Sequence, residues 1–143
     1  MEDLVGTWCL HTCTEMGDDG RVSYPFGEKA IGTLMYDKLG HMSVMIADVR
    51  RPPFAAADPR SGSDDEVRAA FEGCVSYWGR YAVDVPRGVV RHEVTASLFP
   101  NWTGAVLERH FTVEGRTLRL WTEPFTVANR LVTSHLVWRR EDT

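Results

Sequence analysis

Apolar and polar residues alternate with a period of two along most of this 143-residue chain. Successive side chains of a strand project to opposite faces, so such alternation marks strands with one buried face. The clearest stretch runs from Val89 to Val113. Its first half puts Val90, His92, Val94 and Ala96 on one face, and Arg91, Glu93, Thr95 and Ser97 on the other. The charged face is expected to be wet, which places His92 inside. After a tip of Pro100, Asn101, Trp102 and Gly104, Leu107, Arg109, Phe111 and Val113 point one way and Glu108, His110 and Thr112 the other. Arg109 therefore falls on an apolar face, where an arginine is costly unless a partner or ligand compensates it.

The same reading extends along the chain. Residues 4–14 predict a strand with Trp8, Leu10 and Thr12 on one face and Cys9, His11 and Cys13 on the other. Turns follow at Gly17-Asp18-Asp19-Gly20 and Tyr24-Pro25-Phe26-Gly27. Strands are expected over 31–37 and from His41 to about Asp48, with Gly32, Leu34 and Tyr36, then Met42, Val44 and Ile46, facing inward. Residues 49–63 carry three prolines and predict a loop. Ser63 and Glu66 form a capping box that opens a helix running to about Val75, with an apolar stripe of Val67, Ala70, Phe71 and Cys74. From Tyr77 to Val85 a strand turns Tyr77, Gly79, Tyr81 and Val83 to one side and Trp78 to the other. Leu118, Leu120 and Thr122 share an inward face, with Trp121 outward, and residues 123–129 form a connection. The last strand, 130–139, has two open registers. Either Val132, Ser134, Leu136 and Trp138 face inward, or Leu131, Thr133, His135 and Val137 do.

Some eight or nine short strands joined by tight turns, with one helix inserted at about 64–75, predict an all-β, antiparallel barrel. Eight strands enclose just enough room for side chains or one small ligand. One domain over 1–143 is expected at this length. The net charge of −4 comes from dispersed charges, so no nucleic-acid or anionic-membrane footprint is expected. No run is long and apolar enough to span a bilayer as a helix. The opening MEDLVGTW lacks the features of a secretory leader, so a cytoplasmic setting is expected. Cys9, Cys13 and Cys74 are too few for a disulfide framework, and Cys9 and Cys13 on one strand stand about 13 Å apart. Free thiols are expected. The five histidines have no metal-ligand spacing, and neither a phosphate loop nor a dinucleotide fingerprint occurs, so neither metal nor cofactor is expected.

Several segments in order resemble the bacterial and fungal lipocalin-like domain family. They are Leu4-Val5-Gly6-Thr7-Trp8, Tyr24-Pro25-Phe26-Gly27, Gly32-Thr33-Leu34-Met35-Tyr36, Gly40-His41-Met42-Ser43, Tyr77-Trp78-Gly79-Arg80-Tyr81, His92-Glu93-Val94 and Ser97-Leu98-Phe99-Pro100-Asn101-Trp102. They cover nearly the whole chain. The resemblance implies a lipocalin-like β-barrel in which Trp8 closes one end and Arg139 or Arg140 lies over it. The Thr-Asp-Tyr motif of the lipocalins proper is missing. Relatives in shape from secondary metabolism act as cofactor-free cyclases or isomerases, and the resemblance extends that expectation to this chain.

His92 and Arg109 are the sharpest chemical candidates. Read as catalytic, His92 moves a proton, since imidazole ordinarily titrates near neutral pH, and Arg109 stabilises a developing oxyanion. Read as structural, Arg109 binds backbone carbonyls and His92 binds a tyrosine. Tyr36, Tyr77, Tyr81, Trp102, Thr122 and Ser134 are the candidate ligand-binding residues. The helix and the 49–63 loop are expected to cover the barrel mouth as a lid. Three functions fit: a cofactor-independent cyclase or isomerase, a non-catalytic carrier of a small apolar ligand, or an interaction module whose barrel is packed solid. In the last, Trp78 and Trp121 mark a homodimer surface.

Overall fold

The computed structural model describes residues 2–141, so the ends of the 1–143 span, Met1, Asp142 and Thr143, lie outside the described residues. The strands are β1 (Gly6–Gly17), β2 (Val22–Ser23), β3 (Ile31–Tyr36), β4 (His41–Ala47), β5 (Cys74–Asp84), β6 (Val89–Ser97), β7 (Val106–Glu114), β8 (Thr117–Trp121), β9 (Phe125–Val127) and β10 (Arg130–Arg140), with one helix, α1 (Asp64–Glu72), between β4 and β5. Strands β1, β3, β4, β5, β6, β7, β8 and β10 pair in that order, all antiparallel, and β10 closes back onto β1. The result is an eight-stranded barrel with two short additions, β2 beside β1 and β9 beside β10. Closure removes the open edges through which a sheet could pair with another chain.

The alternation places the core where it was expected. Leu34 and Tyr36 of β3, Met42, Val44 and Ile46 of β4, and Tyr77 and Tyr81 of β5 are all buried. Of the two registers open for β10, the one turning Val132, Ser134, Leu136 and Trp138 inward is adopted: Val132 and Trp138 are buried, and Leu131 is exposed.

Strand β1 departs from its pattern. Its register against β10 shifts between Leu10 and Thr12, a β-bulge that adds one residue on one side of the ladder. Trp8 and Leu10 face inward as expected, but beyond the bulge the inward set becomes Cys13 and Glu15. The expected pairing of Cys13 with the outer face is thus corrected. A second shift, between Trp78 and Gly79, presses β5 against β6. A Cβ on Gly79 would stand 2.0 Å from the Glu93 carbonyl oxygen, so only glycine fits.

The helix is shorter than expected and less embedded. It ends at Glu72; the Gly73 N–H bonds back to Ala69, and Cys74 and Val75 are drawn into pairing with Ala47 and Ile46. The capping box forms in both directions. Yet Val67 and Phe71 stay exposed, so the expected stripe is not buried. The 49–63 loop is tied to α1: Glu66 accepts from the Ala55 N–H, and Arg51 donates to the Ala70 carbonyl.

One barrel end is plugged. A 3₁₀ turn at Glu2–Leu4 brings the Leu4 carbonyl to the Trp8 indole N–H at 2.9 Å. Of the two expected arginines, Arg140 lies over Trp8, its guanidinium carbon 4.2 Å from the ring centroid. It also donates to the carbonyls of Asp3 and Val5. A Cβ on Gly6 would lie 2.6 Å from the guanidinium, which explains the glycine two residues before the tryptophan.

Candidate functional site

The barrel is not packed solid. A cavity of about 550 Å³ occupies its interior and opens at the end opposite Trp8. This removes the packed barrel on which the interaction-module reading was built. Most of the wall is apolar: Leu34 and Val44 on one side, Leu107, Leu120, Leu136 and Trp138 on the other. The polar groups are few. Tyr77, His92 and Arg109 line one wall, Thr122 and Ser134 another, and Cys13, Glu15, Glu108 and Glu123 complete the lining.

His92 is the one buried polar or charged side chain among the described residues, at 2% exposure. Alternation on β6 turns it inward opposite Tyr81, its cross-strand neighbour on β5. Both ring nitrogens are engaged. The Tyr36 hydroxyl lies 2.6 Å from Nε2, and the Tyr77 hydroxyl 2.7 Å from Nδ1. Burial, aided by the Arg109 charge, pushes the imidazole pKa down to about 3, so the ring is neutral at neutral pH. The near-neutral titration on which a general acid/base role was expected to rest is therefore absent. Burial also raises both tyrosine pKa values, against the opposing pull of Arg109, and both remain protonated. Arg109 itself is half-buried, lines the cavity and donates to the Glu108 backbone carbonyl. Arg109 thus meets the carbonyl of the preceding residue, and His92 meets two tyrosines.

The other candidates divide. Tyr77, Trp102, Thr122 and Ser134 line the cavity, with Trp102 edge-on to Tyr77 at 5.7 Å. Thr122 also receives the Ser134 N–H on its hydroxyl, which fixes their shared wall. Tyr36 sits behind His92 and Tyr81 lies beside it, neither of them lining the cavity. The Tyr81 hydroxyl donates to the Asp37 carbonyl, so its role as an expected ligand contact is corrected to a barrel-end fastening.

The mouth also differs from expectation. No residue of the 49–63 loop or of α1 lines the cavity, so the expected lid is not what borders it. The border is made by Pro25 and Phe26, by Trp102, and by Pro124, Phe125 and Val127. The last group belongs to the β9–β10 hairpin, read from sequence as a plain connection. Its turn puts both Ala128 and Asn129 at positive φ, at 49° and 62°. Asn129 suits such a turn and was its only local signal; alanine does not. Of the proposed dimer markers, Trp78 is half-exposed and Trp121 stacks on His110 at 5.5 Å.

The interior chemistry is muted elsewhere. Burial, with help from Glu15, pushes the Cys13 thiol up to about 12, so it is not a thiolate nucleophile near neutral pH. Half-burial holds the Glu15 carboxyl above its ordinary value, with Arg130 pulling it back. No cluster of three or more metal-ligating side chains occurs among the described residues, and all three cysteines are free.

The barrel, the plug and the cavity agree with what comparison of the sequence finds: the lipocalin-like domain matches residues 5–141. This chain belongs to the lipocalin-like domain family. It is similar to a 4'-hydroxy-3'-methoxypropiophenone carrier protein of Aspergillus oryzae, 31% identical over 107 residues that cover 69% of this chain and 96% of the relative. No solved structure matches. No helix among the described residues is long and apolar enough to cross a membrane.

Proposed function

We propose that this lipocalin-like barrel is a carrier for a small, largely apolar molecule bearing oxygen, of the aryl-ketone type, with residues 1–143 acting as one domain. The observation that carries this reading is the cavity itself: about 550 Å³, open at one end, apolar on most walls, with Tyr77 and Arg109 together on one of them. Such a shape suits a ligand with an aromatic body and one polar end. The relative named as a carrier of a methoxy- and hydroxy-substituted propiophenone supports that class of ligand. Trp102 at the mouth stacks on the ring, Thr122 and Ser134 offer hydroxyls to substituents, and Tyr77 and Arg109 take an oxygen. His92 orients Tyr77 through its Nδ1.

The engagement of both His92 nitrogens favours a carrier over a catalyst, because no free basic nitrogen faces the cavity. The second reading is a cofactor-independent cyclase or isomerase using His92 and Arg109. It draws on Arg109, a cation beside a phenol on the wall where an enolate oxygen would form. Titration with 4'-hydroxy-3'-methoxypropiophenone, followed by tryptophan fluorescence, tests the choice. A carrier binds one equivalent saturably and returns the ketone unchanged. Recovery of a rearranged product, abolished in Arg109→Gln, would establish the catalyst. An absence of saturable binding of this and other aryl ketones would sink the carrier reading.

A further inference from the structure

His92 and its two tyrosines hold one proton more than their two contacts can use. A neutral imidazole has one N–H and one bare nitrogen, and each phenol brings one O–H. Three protons face two hydrogen bonds, so one phenol must direct its O–H elsewhere. The surroundings of the two phenols decide which. Tyr36 is 2% exposed and does not line the cavity. The Tyr81 ring stands edge-on to it at 4.7 Å, and the Tyr81 hydroxyl is already engaged with the Asp37 carbonyl. Among the described residues His92 is the one hydrogen-bond partner of the Tyr36 hydroxyl. A hydroxyl proton stranded there would carry the full desolvation cost of an unsatisfied buried donor. Tyr77, by contrast, lines the cavity.

We propose that the protons run in one direction, from the Tyr36 O–H to His92 Nε2 and from His92 Nδ1–H to the Tyr77 oxygen, so that Tyr77 presents its own O–H to the cavity. Tyr77 thereby becomes a specificity-determining donor. Arg109, on the same wall, has donors only. That wall selects an acceptor oxygen, a ketone or comparable carbonyl, and rejects a group that can only donate. The claim about the ligand rests on the carrier reading; the claim about proton direction does not.

Two measurements test it. In protein labelled with ¹⁵N-histidine at neutral pH, the His92 signals are expected to show Nδ1 protonated and Nε2 bare. The reverse tautomer, or a doubly protonated ring, overturns the proposal whatever the protein binds. Affinities for propiophenone and propylbenzene, which lacks the carbonyl oxygen, are then compared in the wild type, Tyr77→Phe and Tyr36→Phe. The wild type is expected to prefer the ketone about tenfold, Tyr77→Phe to lose most of that preference, and Tyr36→Phe, in which no hydroxyl holds the imidazole N–H on Nδ1, to lose part of it. A ketone preference undiminished in Tyr77→Phe overturns the donor role. If the wild type binds neither compound, the carrier reading fails, and the tautomer still decides the proton direction.

Discussion

The two ends of the barrel are built on opposite principles. At the plugged end three buried or half-buried side chains are fastened to backbone carbonyls: Trp8 to Leu4, Arg140 to Asp3 and Val5, Tyr81 to Asp37. The bulky rings there are sealed, Trp8 at 0% exposure. At the open end large apolar side chains remain partly in water, with Phe99, Phe125 and Val127 between 37% and 39% exposed. Burial stabilises the first end, while the second keeps apolar surface available to something that is not part of the chain. His92 lies between them, tied to a sealed phenol on one side and a cavity-lining phenol on the other. The chain thus separates the residues that hold the barrel shut from those free to meet a ligand.

The largest expected effect breaks the plug. Trp8→Ala removes a fully buried indole and is expected to lower the unfolding free energy by about 3–5 kcal/mol, measured by urea denaturation. Phe125→Ala at the mouth is expected to cost under about 1 kcal/mol and instead to weaken ligand binding. Equal costs at both ends would undo the contrast.

Acid sharpens it next. The His92 pKa of about 3 in the fold lies below the ordinary 6.5, so only the unfolded chain protonates this ring between those values. The stabilisation is complete above pH 6.5 and is lost as pH falls toward 3, by up to about 1.4 kcal/mol per pH unit from this residue. Unfolding curves across that window should show the slope in the wild type, and His92→Gln should lack its His92 share. A slope unchanged in the variant would place the acid sensitivity elsewhere.

A smaller effect is expected at the plug's cation. Arg140→Lys keeps the charge but loses the planar fork over Trp8, and should lower the thermal midpoint by the equivalent of about 1 kcal/mol. The smallest lies at the mouth. Ala128 adopts a φ of 49°, which costs a side chain more than glycine, so Ala128→Gly should raise stability by about 0.5 kcal/mol in the same assay. A destabilised glycine variant would mean that the alanine methyl has a packing role in the hairpin.

Much of this arrangement is legible in the chain. A period of two is a local property, so the inward sets of β3, β4 and β6 could be read residue by residue, His92 among them. The capping box and the Gly-x-Trp opening are likewise local. The helix end was not, because Cys74 and Val75 fit a helical stripe as well as a strand. Their partners Ala47 and Ile46, some thirty residues away, decided it.

The sequence by itself therefore determined an antiparallel barrel and the inward position of His92, and the resemblance to the family added the Trp8 plug. The first two follow from alternation, which a short stretch carries within itself. Only the tertiary structure decided the rest: the bulge that turns Cys13 and Glu15 into the cavity, the β9 hairpin that borders its mouth, and the meeting of Tyr36 and Tyr77 on the two nitrogens of one ring. These depend on register between strands distant in sequence. A shift of one residue in that register exchanges the faces of every side chain beyond it.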